Sequence, residues 1–94
     1  MIDFYKNSVN VLNMITTEQI NEMNKIGYAF RWNKLTNEAV DNTGKKEISI
    51  YSRNHGKTFT VEICGWDSTA GEYQRIYTDF DSFEKLLSHI SWLL

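Results

Sequence analysis

The sequence predicts an α+β protein, an antiparallel β-meander of about four strands packed against a C-terminal amphipathic helix, with one or two helices ahead of the sheet. Three observations carry that expectation. Apolar periodicity changes from helical to alternating after Gly27, and Asn54-His55-Gly56 separates two alternating segments. A stripe of Phe83, Leu86, Leu87, Ile90, Leu93 and Leu94 then recurs at helical spacing. Short connections favour sequential antiparallel pairing.

Residues 3 to 14 admit two readings. Phe4, Val11, Leu12 and Ile15 suit a helical stripe, whereas Val9, Val11 and Asn13 could alternate in a strand; the helix is preferred. A second helix starts near residue 17, because Thr16 and Gln19 form a capping box and Ile15 and Ile20 occupy the positions of a hydrophobic staple. Ile20, Met23 and Ile26 line its face, and Gly27 is placed to end it. In the strand that follows, residues 28–34, the rings of Tyr28, Phe30 and Trp32 fall on one side. Residues 35–44 read as a connection with a short strand around Ala39 and Val40. Strands resume at 47–53, with Ile48 and Ile50 inward, and at 57–64, with Phe59, Val61 and Ile63 inward. Asn54-His55-Gly56 between them supplies the positive φ that a tight hairpin needs. A polar loop is expected from Gly65 to Gly71, then a strand at 73–78. Asp81 and Glu84 stand in the relation of a capping box for the final helix.

Composition bounds the function. The 94 residues include one cysteine and no proline, with 41% hydrophobic and 23% charged residues and a formal net charge of −2. A chain of that size buries about 65% of its unfolded surface, enough for one core, so a single domain over residues 1–94 is expected. Cys64 has no partner for an intramolecular disulfide, no apolar run approaches the roughly 18 residues of a membrane span, and the N-terminal residues lack the pattern of a secretory signal. A cytoplasmic protein is the expectation. Nine Asn, nine Ile and seven Lys against three Ala and three Arg point to an AT-rich genome.

Enzyme templates fail on inventory. Only His55 and His89 could serve Cys64 as a base, and the five glycines are scattered without a phosphate-binding loop. One Cys and two separated His do not make a closed zinc site. Asp79, Asp81 and Glu84 lack the spacing of a calcium loop, and acids gather at helix N-termini in any case. No catalytic residue, metal or cofactor is therefore expected.

Charge partition is the feature that rises above this background. Residues 25–57 sum to +4 and residues 58–84 to −5, so the near-neutral total is a cancellation. The acidic half suggests a surface for a basic protein partner, made by Asp67, Glu72, Asp79, Asp81 and Glu84, with Trp66 and Tyr73 as anchors. The basic half, with Tyr28, Phe30, Arg31, Trp32 and Lys34, suggests a single-stranded nucleic-acid platform as the second choice. It competes with the core for the same rings. Self-association is a further expectation should the aromatic strand lie at a sheet edge.

A short Asn-, Ile- and Lys-rich chain whose meander leads into Tyr77-Thr78-Asp79-Phe80-Asp81-Ser82-Phe83-Glu84 and a final helix resembles the small phage-encoded inhibitors of bacterial defence systems, anti-CRISPR proteins among them. The resemblance implies a non-enzymatic inhibitor that occludes a basic or nucleic-acid-binding groove with an acidic surface, in the host cytoplasm. A toxin-neutralising immunity protein has the same kind of sequence.

Overall fold

The computed structural model describes residues 14–94; the element expected at 3–14 falls almost wholly outside them. The order is α1 (Thr17–Lys25), β1 (Arg31–Asn33), β2 (Glu38–Asp41), β3 (Glu47–Arg53), β4 (Thr58–Asp67), β5 (Glu72–Phe80) and α2 (Phe83–Trp92). The five strands form one antiparallel sheet in the order β1-β2-β3-β4-β5, against the count of about four, with the short strand read around Ala39 and Val40 present as a full member. In β2, Ala39 is fully buried opposite Ile50. None of the described helices is long and apolar enough to cross a membrane.

The α1 cap forms as its sequence dictates. The Gln19 N–H donates to Thr16 Oγ1 at 3.1 Å, and the Thr16 N–H donates to Gln19 Oε1 at 2.9 Å. Ile15 and Met23 are buried, Ile20 and Ile26 pack beside them, and Gly27 turns the chain out at φ +123°.

Strand β1 is shorter than the expected 28–34. Its missing half is held by side chains instead of a neighbouring strand. Asn24 bridges Phe30 from both ends of its amide: the Phe30 N–H donates to Asn24 Oδ1 at 2.8 Å, and Asn24 Nδ2 donates to the Phe30 carbonyl at 3.2 Å. Asp41 accepts the Ala29 N–H at 2.8 Å. Backbone groups satisfied in this way have no need of a sheet ladder. Tyr28 and Phe30 turn into the core with their ring centroids 5.1 Å apart, and the Tyr28 hydroxyl donates to the Ile90 carbonyl of α2.

One face of the sheet carries Ala39, Ile50, Val61 and Phe59, and Leu86 and Ile90 of α2 cover it. Phe83 meets Phe59 edge-on at 5.9 Å. The α2 cap differs by one residue from the expected one: Ser82, not Asp81, is the N-cap and accepts the Lys85 N–H at 3.2 Å. That shift leaves Asp81 four residues before Lys85, and the two form an ion pair at 2.8 Å.

Two connections repeat one device. After β1 the Asn37 N–H donates to the Asn33 carbonyl at 2.8 Å, while Asn33 Oδ1 accepts from Leu35 and Thr36. After β4 the Gly71 N–H donates to the Asp67 carbonyl at 2.8 Å, while Asp67 Oδ1 accepts from Thr69 and Ala70. An Asx side chain organises each turn, and Asn37 (φ 59°) and Gly71 (φ 69°) close it in the left-handed region. The Asn54-His55-Gly56 turn also takes in Lys57, since pairing resumes at Arg53↔Thr58.

A projecting hairpin as candidate functional site

The expected loop from Gly65 is strand until Asp67. Regular pairing continues through Gly65↔Gln74, Trp66↔Tyr73 and Asp67↔Glu72, and β3 reaches only as far as Glu47↔Cys64. Three register pairs of the β4–β5 hairpin thus extend past β3, an overhang of about 10 Å at the usual rise per residue. Gly65 sits at its root, where the aliphatic stem of Lys46 crosses so closely that an added Cβ would lie 2.6 Å from Lys46 Cγ. A glycine within a strand marks such an approach, and it read in the sequence as a strand break.

The overhang collects four of the seven candidate contact residues. Trp66 and Tyr73 are directly opposed on the outer face, away from α2, and are 62% and 61% exposed. Asp67 and Glu72 form the next pair towards the tip. Tyr77, 54% exposed, extends the aromatic surface along the same face of β5.

The other three candidates lie elsewhere. Asp79 is seven residues from Glu72 along β5, about 23 Å in an extended strand, and Asp81 and Glu84 flank the start of α2. Two of these acids are already engaged. Asp79 accepts from the Thr60 hydroxyl at 2.7 Å and pairs with Arg53 at 3.0 Å, and these two groups, Thr60 first, hold its carboxyl below the usual range. Lys85 does the same for Asp81. The five candidate acids are therefore two clusters at opposite ends of β5, with Glu62 between them on β4. The basic half of the sequence is not held apart from them, since Arg53 of β3 reaches Asp79 of β5.

The segment 28–34 is organised for packing. Tyr28 and Phe30 are 8% and 4% exposed and Trp32 is half-buried, so only the charged members Arg31 and Lys34 stand in the open.

Cys64 is buried on the outer face and its thiol donates to Glu62 Oε1 at 3.1 Å. Burial, with the Glu62 carboxylate next, pushes the thiol pKa up, opposite to what a nucleophile needs. Glu62 also pairs with Arg75 at 3.3 Å. Among the described residues no three His, Cys, Asp or Glu side chains converge as metal ligands.

One group missed at the sequence level is Asp41. Its carboxylate is buried and accepts three hydrogen bonds, from Ala29 N–H (2.8 Å), Thr43 N–H (2.9 Å) and the Thr43 hydroxyl (2.6 Å). Burial opposes its charge, yet those bonds prevail and hold its pKa below the usual range. It borders a cavity of about 490 Å³ between the end of α2 and the 42–46 loop, with Ile48, Ile63, Leu93 and Leu94 on the apolar side and Lys45 and Lys46 on the other. Asp41 accepts from two backbone N–H groups and one hydroxyl, which makes it a structural anchor for two loops.

Comparison with protein families, curated proteins and solved structures finds no match to this chain.

Proposed function

We infer that the protein is a non-enzymatic binding module that presents the β4–β5 overhang to a basic groove of a partner protein and blocks that groove by occupying it. The observation that carries this reading is the exposed, directly opposed pair Trp66 and Tyr73 followed, one pair nearer the tip and on the other face, by the acidic pair Asp67 and Glu72, on a ribbon that stands clear of the sheet and can be gripped from both sides. Aromatic side chains dominate the energetics of protein interfaces, and flanking carboxylates steer a basic partner and reject acidic ones. The partner that suits this chemistry is a nucleic-acid-binding protein of a bacterial defence system, with the tip carboxylates standing where phosphates would lie. A toxin neutralised by the same surface is the related alternative.

The test compares three variants against a partner captured from the host cell and then purified. W66A/Y73A and D67K/E72K are each expected to weaken binding by about 30-fold or more, the loss typical of interface hot spots. D81K/E84K, at the other end of β5, is expected to bind as the parent does. The parent is also expected to compete with nucleic acid for the partner, and both tip variants to lose that competition. Undiminished binding by the two tip variants, or loss confined to D81K/E84K, refutes the reading.

A further inference from the structure

Strand β5 has no neighbour on its far side among the described residues. Several of the usual protections of a sheet edge are missing from it, and the charges it does carry are of both signs. It runs nine residues, its pairing with β4 is regular with no bulge from Phe59↔Phe80 to Asp67↔Glu72, and it contains neither lysine nor proline. The opposite edge, β1, is only three residues long. Exposed apolar side chains stand on both faces of β5, Tyr73 and Tyr77 on the outer face and Ile76 on the inner, each more than half exposed.

The order of charges in β5 selects what fits that edge. In an antiparallel pair, directly opposed residues share a face and their side chains interact. A two-fold axis at Tyr77 sets Arg75 of each copy opposite the partner's Asp79 on the outer face. It also sets Tyr77 opposite the partner's Tyr77 and Ile76 opposite the partner's Thr78. Moving the axis to Ile76 leaves Arg75 facing a tyrosine and Asp79 facing another, with no opposite charges matched. Moving it to Arg75 brings two guanidinium groups together. With the axis at Tyr77, the existing pairs Arg75–Glu62 (3.3 Å) and Asp79–Arg53 (3.0 Å) join into a row of alternating sign: Glu62, Arg75, the partner's Asp79, the partner's Arg53.

We propose that the chain pairs with a second copy of itself, β5 against β5 and antiparallel about Tyr77, to form a continuous ten-stranded sheet. The pairing is isologous and therefore closes at a dimer. It does not depend on the contact surface at Trp66 and Asp67.

Sedimentation equilibrium of the full chain tests it. The mass is expected to rise from 11.0 kDa towards twice that value with concentration, and to do so less readily at high salt. R75E alone and D79R alone are expected to return the chain to monomer, and the exchange R75D/D79R to restore the dimer, with circular dichroism confirming that each is folded. Register is read separately by disulfide formation in a C64S background. Y77C is expected to cross-link, since opposed residues meet disulfide geometry, and I76C to remain uncoupled. A mass of 11.0 kDa at every concentration overturns the proposal, as does a dimer indifferent to both charge reversals or one cross-linked through I76C. Should the cysteine variants fail to fold, the charge series decides alone.

Discussion

Removing the Asp41 carboxylate is the most direct way to probe how the loops before β1 and after β2 are held. D41A deletes three acceptor contacts at 2.6–2.9 Å, and two of the donors are backbone N–H groups. Hydrogen bonds to a charged group contribute about 1.5–3 kcal/mol each. Two corrections bring the sum down. Ala29 and Thr43 lie at exposed positions, so water replaces part of what is lost, and the variant no longer bears the cost of burying a charge. A net loss of about 2–3 kcal/mol remains, which lowers Tm by about 10–20 °C in a domain of this size. The pH dependence has a definite sign. Because the folded pKa is depressed, the contribution is fully present above the ordinary carboxylate value of about 4 and is lost as pH falls through the lower folded value. Urea denaturation of the parent and D41A from pH 7 to pH 2 therefore gives curves that converge towards the acid end. D41N, which offers one acceptor oxygen in place of two, falls between them at neutral pH. A D41A loss below about 1 kcal/mol at pH 7, or a gap that does not narrow in acid, refutes the assignment of Asp41 as a loop anchor.

Two further outcomes follow from burial and charge. Ile50→Ala, at a fully buried position, is expected to cost about 3 kcal/mol in urea denaturation, and Ile76→Ala, 54% exposed on the same face at the sheet edge, less than about 1 kcal/mol; equal effects would contradict the burial assigned to the two positions. Alkylation of Cys64 by iodoacetamide is expected to rise only at pH values above the ordinary thiol inflection of about 8.5, with E62Q moving the profile to lower pH. A profile like that of free cysteine would contradict the buried, Glu62-bonded thiol.

Sequence reasoning succeeds here where local patterns and tertiary packing agree. Thr16 and Gln19 cap α1 through their own side chains, and Leu86 and Ile90 lie on the only apolar stripe α2 has, so no distant contact was needed to place them. It fails where a distant side chain replaces a backbone partner. Nothing local reveals that Asn24 and Asp41 will take the hydrogen bonds of Ala29 and Phe30 and so shorten β1. Gly65 is a similar case, because its role is to admit Lys46 from the 42–46 loop. The acidic stretch was legible as composition, but its division between the two ends of β5 follows from the strand's length and register. Both Asp81 and Ser82 are competent caps, and the choice of Ser82 leaves Asp81 in reach of Lys85.

The meander has a consequence for how the chain finds its fold. Each strand pairs only with its neighbours in sequence, through connections of four or five residues, so every ladder closes a short loop at small entropic cost and the hairpins can zip in any order. What does not come cheaply is the clasp. The Tyr28 hydroxyl and the Ile90 carbonyl are 62 positions apart, and the apolar surface that Leu86 and Ile90 cover exists only once β3 and β4 have paired. Docking of α2 is thus the long-range step that joins a set of locally closed hairpins into one structure, because it ties the segment before β1 to the element after β5.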